Sequence, residues 1–203
     1  MAVVSGGTTL IDNGALDAGV PSGSLILLST QTASASASIE FTSGIDSTYD
    51  SYIFKFIDIH PSVDDAGFAF QGSINGGSSY GITITSTNFN AFHNEADTST
   101  GLNYNPSSDL AQSTSLQILG GYNGTGNDND QSLSGQLQIF NPSSTTYVKH
   151  FIATTQFVIG IDYSKNDFTA GYFNDGANDI NAFKFQFETG NIDDGIIKMY
   201  GVK

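Results

Sequence analysis

Apolar and polar residues alternate with period two along most of this chain, and that restricts it to sheet. "YIFKFIDIH" (52–60) places Ile53, Lys55, Ile57 and Ile59 on one face of an extended segment and Tyr52, Phe54, Phe56 and Asp58 on the other. Side chains alternate across a strand, so an apolar majority on both faces predicts a central strand covered on both sides near its middle. The same period runs through "LSGQLQIFNP" (133–142), "INAFKFQFE" (180–188) and "GIIKMYGV" (195–202). No segment keeps a helical period with caps, and no internal repeat stands out. The spacing of roughly nine or ten such runs, separated by Gly, Asn, Asp and Pro, predicts an all-β, jelly-roll-like antiparallel β-sandwich.

Turn chemistry sharpens the expectation. "GFAFQGSINGGSSYGITIT" (67–85) reads as a hairpin around Asn75–Ser79, because Asn-Gly supplies the positive φ angles of a tight reversal. The closing runs read as a second hairpin with its turn over 189–195, bringing Ile197 and Met199 against Phe183, Phe185 and Phe187 and making the last strand a central one. Further turns are predicted at Asn141-Pro142-Ser143-Ser144 and around Lys165-Asn166. The Ala/Ser alternation of "TASASASIEFT" (32–42) fits a strand pressed closely on one face. "FNAFHNEADTSTGLNYNPSSDLAQST" (89–114) is long and irregular, a candidate functional loop or lid.

Two segments follow from this pattern: 1–23 as an extended N-terminal arm and 24–203 as the sandwich. In the arm the apolar residues Val3, Val4, Leu10, Ile11, Leu16 and Val20 are isolated among Gly, Ser, Thr, Asp and Asn. Such spacing fits either a frayed terminus with a first edge strand, or a docking arm whose apolar residues pack on a neighbouring subunit. The N-terminal stretch has neither a basic region nor a continuous apolar run, so it does not read as a secretory signal. The run Leu25–Leu28 is far too short to span a membrane.

Composition excludes several chemistries. There is no Cys, which removes disulfides, thiolate metal sites and a cysteine nucleophile. Only 13% of residues are charged, yet the formal net charge is −14. All basic residues are Lys, so nucleic-acid binding by clustered cations and bidentate carboxylate or phosphate clamps are not expected. The surface must be built from Ser, Thr, Asn, Gln and Gly.

The search for a reactive site returns little. His60 and His93, with Asp58, Asp64, Asp65, Glu95 and Asp97 near them in sequence, match no zinc spacing, and structural hydrogen bonding is the simpler reading. "GNDNDQ" (126–131) resembles half a calcium loop but lacks the late bidentate Glu, and reads as an exposed turn. No nucleophile elbow, phosphate loop or dinucleotide fingerprint occurs. A pair of carboxylates for glycoside hydrolysis drawn from Asp58, Asp109, Asp162 and Glu188 would be arbitrary, because the mechanism depends on a separation that sequence does not give. No enzyme activity and no cofactor are expected. Tyr80, Tyr104 and Tyr122, at the tips of predicted loops, are candidates for contact with a glycan or a partner subunit.

Several phrases together, "IEFTSGIDSTYDSYIFKFIDIHP", "HNEADTSTGLNYNPSSDLAQST", "SLSGQLQIFNPSSTTYVKHF" and "GNIDDGIIKMYGV", resemble a family of virion structural proteins of marine and cyanobacterial bacteriophages. The resemblance runs from about Gly7 to Lys203 and is a whole-chain pattern without catalytic residues. It implies a capsid decoration or tail appendage with a jelly-roll-like head, a homotrimer contacting other capsid or tail proteins. Assembly would take place in the host cytoplasm, with exposure on the particle exterior. A host-glycan-binding domain of a tail fibre is the alternative it leaves open.

Overall fold

A computed structural model describes residues 3–5, 8–12, 15–16 and 24–203 of the protein. Near the N-terminus, β1 (Val3–Ser5), β2 (Thr8–Asp12) and β3 (Ala15–Leu16) form an antiparallel three-stranded sheet in the order β1-β2-β3. The segment expected to be an arm thus contains local β-structure in a sheet of its own. Val20 lies outside the described residues. Val4 is exposed.

The remaining strands build a sandwich of two antiparallel sheets. In chain order they are β4 (Leu25–Thr32), β5 (Ile39–Phe41), β6 (Ser51–Pro61), β7 (Ala66–Ser73), β8 (Ile84–Asn94), β9 (Thr100–Tyr104), β10 (Gln117–Thr125), β11 (Leu133–Phe140), β12 (Lys149–Ile159), β13 (Tyr163–Phe173), β14 (Ala182–Phe187) and β15 (Ile192–Val202). The smaller sheet has four strands in the order β10-β7-β14-β5; the larger has eight, β4-β15-β6-β11-β12-β13-β8-β9. Setting aside the hairpins β8–β9 and β12–β13 leaves eight strands. Counted along the chain, these lie as first-eighth-third-sixth in one sheet and second-seventh-fourth-fifth in the other. That order is compatible with a jelly roll.

Phenylalanine fills the space between the sheets. Phe185 of β14 sits among rings from both layers, 5.1 Å from Phe54 and 5.4 Å from Phe56 across the sandwich, and 6.2 Å from Phe68 and Phe70 within its own sheet. Edge-on and tilted contacts predominate across the layers, the arrangement that the ring quadrupoles favour. Beyond the rings, Leu133, Leu137, Ile139 and Ile197 are fully buried. Another buried side chain, Lys149, carries its ammonium to the carbonyls of Asp175 and Asn178 and ties the 174–180 loop to β12.

The sheet topology changes four sequence expectations. The run around Asn75–Ser79 does turn, with Gly76 and Gly77 at positive φ, but β7 and β8 do not pair. They belong to different sheets, because β7 already has β10 and β14 as partners. The closing runs behave likewise: β14 and β15 face each other across the core instead of forming a hairpin. Ile197 and Met199 are buried with the phenylalanines by layer packing, and β15 is central as expected, between β4 and β6. Residues 33–38 run beside the start of β15, with the Ala33 and Ala35 N–H groups on the Gly195 and Asp193 carbonyls and an isolated bridge of Ser36 with Ile192, but the Ala/Ser stretch is a connection and not a strand. Lys165-Asn166 is the middle of β13. The reversal lies earlier, where Asp162 adopts φ 59° and its N–H donates to the Ile159 carbonyl at 3.0 Å. Phe140 is half-buried on the outer side of the larger sheet.

Candidate functional site

The two sheets are unequal, and that inequality creates the site. β10 is the edge of the smaller sheet and packs over β12 and β13, so β8 and β9 extend beyond it. Inward-facing residues change character along the way. Under the smaller sheet they are Phe54, Phe56, Phe151 and Phe157; on β13 and β8 they are Lys165, Asp167, Thr169, Asn88 and Asn90, all buried. Among the described residues β10 is the last strand of the smaller sheet on this side, so the polar inner surface must find its partners in β10, in loops or in a ligand.

Much of it does find partners. Asn88 donates to Thr169 Oγ1 at 2.7 Å and accepts from the Asn105 amide at 2.7 Å. Gln117 donates to the carbonyls of Ser108 and Ile118. The Gly121 N–H donates to Asp167 Oδ2 at 3.1 Å. A Cβ at Gly121 would come within 2.2 Å of Ser108 Oγ, so glycine allows this close approach. Among the described residues Asn90 Oδ1 has no hydrogen-bond partner although Asn90 is buried. Across the β13–β8 ladder Asp167 stands opposite Asn90, and Lys165 opposite Phe92.

A cavity of about 650 Å³ opens at this place. Asn90 and Lys165 form part of its lining, together with the rings of Phe92 and Tyr163, whose centroids are 6.0 Å apart. Ile159 and Ile161 from the β12–β13 turn and Pro106 from the segment after β9 supply further apolar wall, while Asn103, Asn105 and Asn123 supply amides. The size and the apolar wall with a few convergent polar groups are those of a small-molecule site. Part of the irregular 89–114 stretch thus does contribute, through Asn90, Phe92, Ser99 and the 103–107 segment, although most of 89–104 forms the β8–β9 hairpin.

Burial pushes the Asp167 carboxyl above its ordinary value of 3.8, opposed by the Gly121 N–H, the Lys165 ammonium and the side chains of Asn90 and Asn88. Burial lowers Lys165, opposed by Asp167 and Asp65. The sign follows for Asp167: with its folded pKa above its unfolded one, ionisation costs the folded state stability. Relative to Asp167→Asn, the wild-type chain should lose stability as pH rises from about 3.8 through the raised pKa. Urea unfolding of both chains across that range checks this; a pH-independent difference would contradict it.

The sequence candidates fall in different places. Tyr80 is folded back on the smaller sheet: its hydroxyl donates to Glu40 Oε2 at 3.1 Å, and the Lys184 ammonium lies 4.9 Å from its ring centroid. Burial, then Glu40, push its pKa up to about 12. Its hydroxyl and ring are thus engaged by Glu40 and Lys184 of the same chain. Tyr104 is exposed at the end of β9, its hydroxyl hydrogen-bonded to Asp109, and it belongs to the cavity lining. Tyr122 lies on β10, and its side chain lies outside the described residues. His60 makes a 3.2 Å contact with the Asp128 carbonyl, and His93 pairs with Asp97 at 3.1 Å. Among the described residues no three His, Asp or Glu side chains come together as metal ligands.

A second feature lies on the opposite side of the larger sheet. One outward cross-strand row runs Lys198–Lys55–Gln136–Thr154–Phe168–Phe89, and the next runs Leu27–Tyr200–Ile53–Gln138–Ile152–Ala170. Neither row contains Asp or Glu, in a chain with 20 of them. Phe89 and Phe168 stack at 5.0 Å and 10° while remaining exposed, and Ile152 is 55% exposed. Period two alone places Phe168 inside, as the apolar member of its alternation beside Asp167 and Thr169; its true direction is visible only from which strands lie opposite.

No protein-family model, curated protein or solved structure matches this chain.

Proposed function

We propose that the protein is an accessory structural component of a bacteriophage virion, a capsid decoration or tail appendage, that acts by self-association through the outer face of the larger sheet. The observation that carries the association is the absence of carboxylates from two full rows of that face. Two copies of a chain with net charge −14 repel each other. They can approach at least cost where acidic groups are missing and where Phe89, Ile152 and Phe168 lose water on contact. The two rows cross six strands about 4.8 Å apart and make roughly 400 Å² per subunit, the centre of an interface that must extend beyond them to reach the ~800 Å² of an ordinary stable contact.

The virion assignment, the trimeric state and the position on the particle exterior rest on the family resemblance. The sandwich supports them only as a fold suited to such a role. Residues 1–23 are assigned to docking on other capsid or tail proteins. Antibodies raised against residues 24–203 should decorate intact particles of the source phage in electron micrographs. Detection of the protein in infected cells but on no purified particle would contradict the assignment.

A further inference from the structure

After β7 the chain turns through Asn75-Gly76, with Gly76 at φ +67° and open space where its Cβ would stand. An Asn-Gly pair in such a place is chemically reactive, because no side chain shields the glycine nitrogen from the neighbouring carboxamide. We propose that Asn75 is a site of spontaneous deamidation whose rate in the folded chain is set by Asn181.

The reaction needs no partner but water. The Gly76 nitrogen bonds to Asn75 Cγ and closes a succinimide ring, while its proton and the side-chain nitrogen leave together as ammonia. Water then opens the ring at either carbonyl. The product is aspartate, or an isoaspartate whose main chain runs through the former side chain.

In the folded protein each reacting group is held. The Gly76 N–H, which carries the nucleophile, donates to Asn181 Oδ1 at 2.8 Å. Asn75 Oδ1 accepts from Ser73 Oγ at 2.7 Å and from the Ser79 N–H at 3.0 Å, and Asn75 Nδ2 donates to Ser79 Oγ at 2.8 Å. Ring closure must break the first of these bonds and turn the carboxamide out of the others.

Asn181 comes from the connection before β14 and is itself fixed. Its backbone N–H donates to the Ser73 carbonyl at 2.9 Å and its amide to the Ile74 carbonyl at 3.4 Å. The same connection takes the Lys149 ammonium on the Asp175 and Asn178 carbonyls. The pair therefore reacts when the two loops at this end part, and the modified residue keeps a record of that local opening.

Asn123-Gly124, the other Asn-Gly pair among the described residues, is barred sterically. Gly124 is buried, and a Cβ there would stand 2.3 Å from the Ala66 carbonyl group, so a succinimide has no room to form.

Incubation of the full chain at mildly alkaline pH, with position 75 followed by mass-spectrometric peptide mapping, tests this. The chain unfolded in urea gives the unguarded rate, and the folded chain should be at least about tenfold slower. Asn181→Ala should raise the folded rate about threefold or more, the loss of one hydrogen bond, under conditions where its urea curve shows it fully folded. Ser79→Ala, at an exposed position, should raise the rate as well, and decides alone if Asn181→Ala does not fold. Equal rates in the folded and unfolded chain, or an unchanged rate in the folded variant, would overturn the proposal.

Discussion

Phe185→Ala should lower the unfolding free energy by about 3–5 kcal/mol, a large share of the whole for a single domain. The reason is position. Phe185 is fully buried on β14 and has ring neighbours in both sheets, with Phe54 and Phe56 across the sandwich and Phe68 and Phe70 beside it. Removing it takes away one ring's burial and leaves a void that these rigid aromatic neighbours cannot close. A urea titration measures the loss as a shift of midpoint at unchanged slope. A loss under about 1 kcal/mol would mean that Phe185 is not at the junction of the two sheets.

Gly195→Ala should cost about 2–4 kcal/mol, combining a strained backbone with a clash. Gly195 sits at φ +125°, where the ladder between β15 and β6 slips register at Asp194/Ile196. A Cβ there would stand 2.7 Å from the Asp58 carbonyl oxygen and 2.8 Å from Ile59 Cα, and backbone atoms of a central strand cannot move aside. Gly76→Ala is the control. That residue also has positive φ, +67°, but a Cβ there would meet nothing within 4 Å, so about 1 kcal/mol from the backbone alone is expected. Equal losses for the two variants would contradict the account of the bulge.

The strands themselves were legible in the sequence, their partners were not. "YIFKFIDIH" announced a central strand through apolar residues on both faces, and β6 lies between β15 and β11. Local turn chemistry, however, says only that the chain reverses. At Asn75–Gly77 and at 188–191 it reverses into the other sheet, and nothing in an Asn-Gly pair encodes that difference.

The candidate site was hidden for a related reason. Period two gives two faces but not which is inside, and in "YSKNDFTAGYF" the apolar Phe168 is the natural choice for the core. The structure turns Lys165, Asp167 and Thr169 inward instead. A polar inner face is tolerable there only because the smaller sheet ends at β10, a fact that belongs to the whole topology. The one local signal was the long irregular stretch 89–114, whose 103–107 segment does border the cavity.

The most direct test of association is mass in solution, by light scattering, for the full chain and for the double variant Ile152→Glu/Phe168→Glu. Both positions are exposed, so charge there should leave the fold intact. The wild-type chain should be a trimer of 21.4 kDa subunits and the variant a folded monomer. A monomeric wild-type chain, or a variant that stays associated, would contradict assembly through this face.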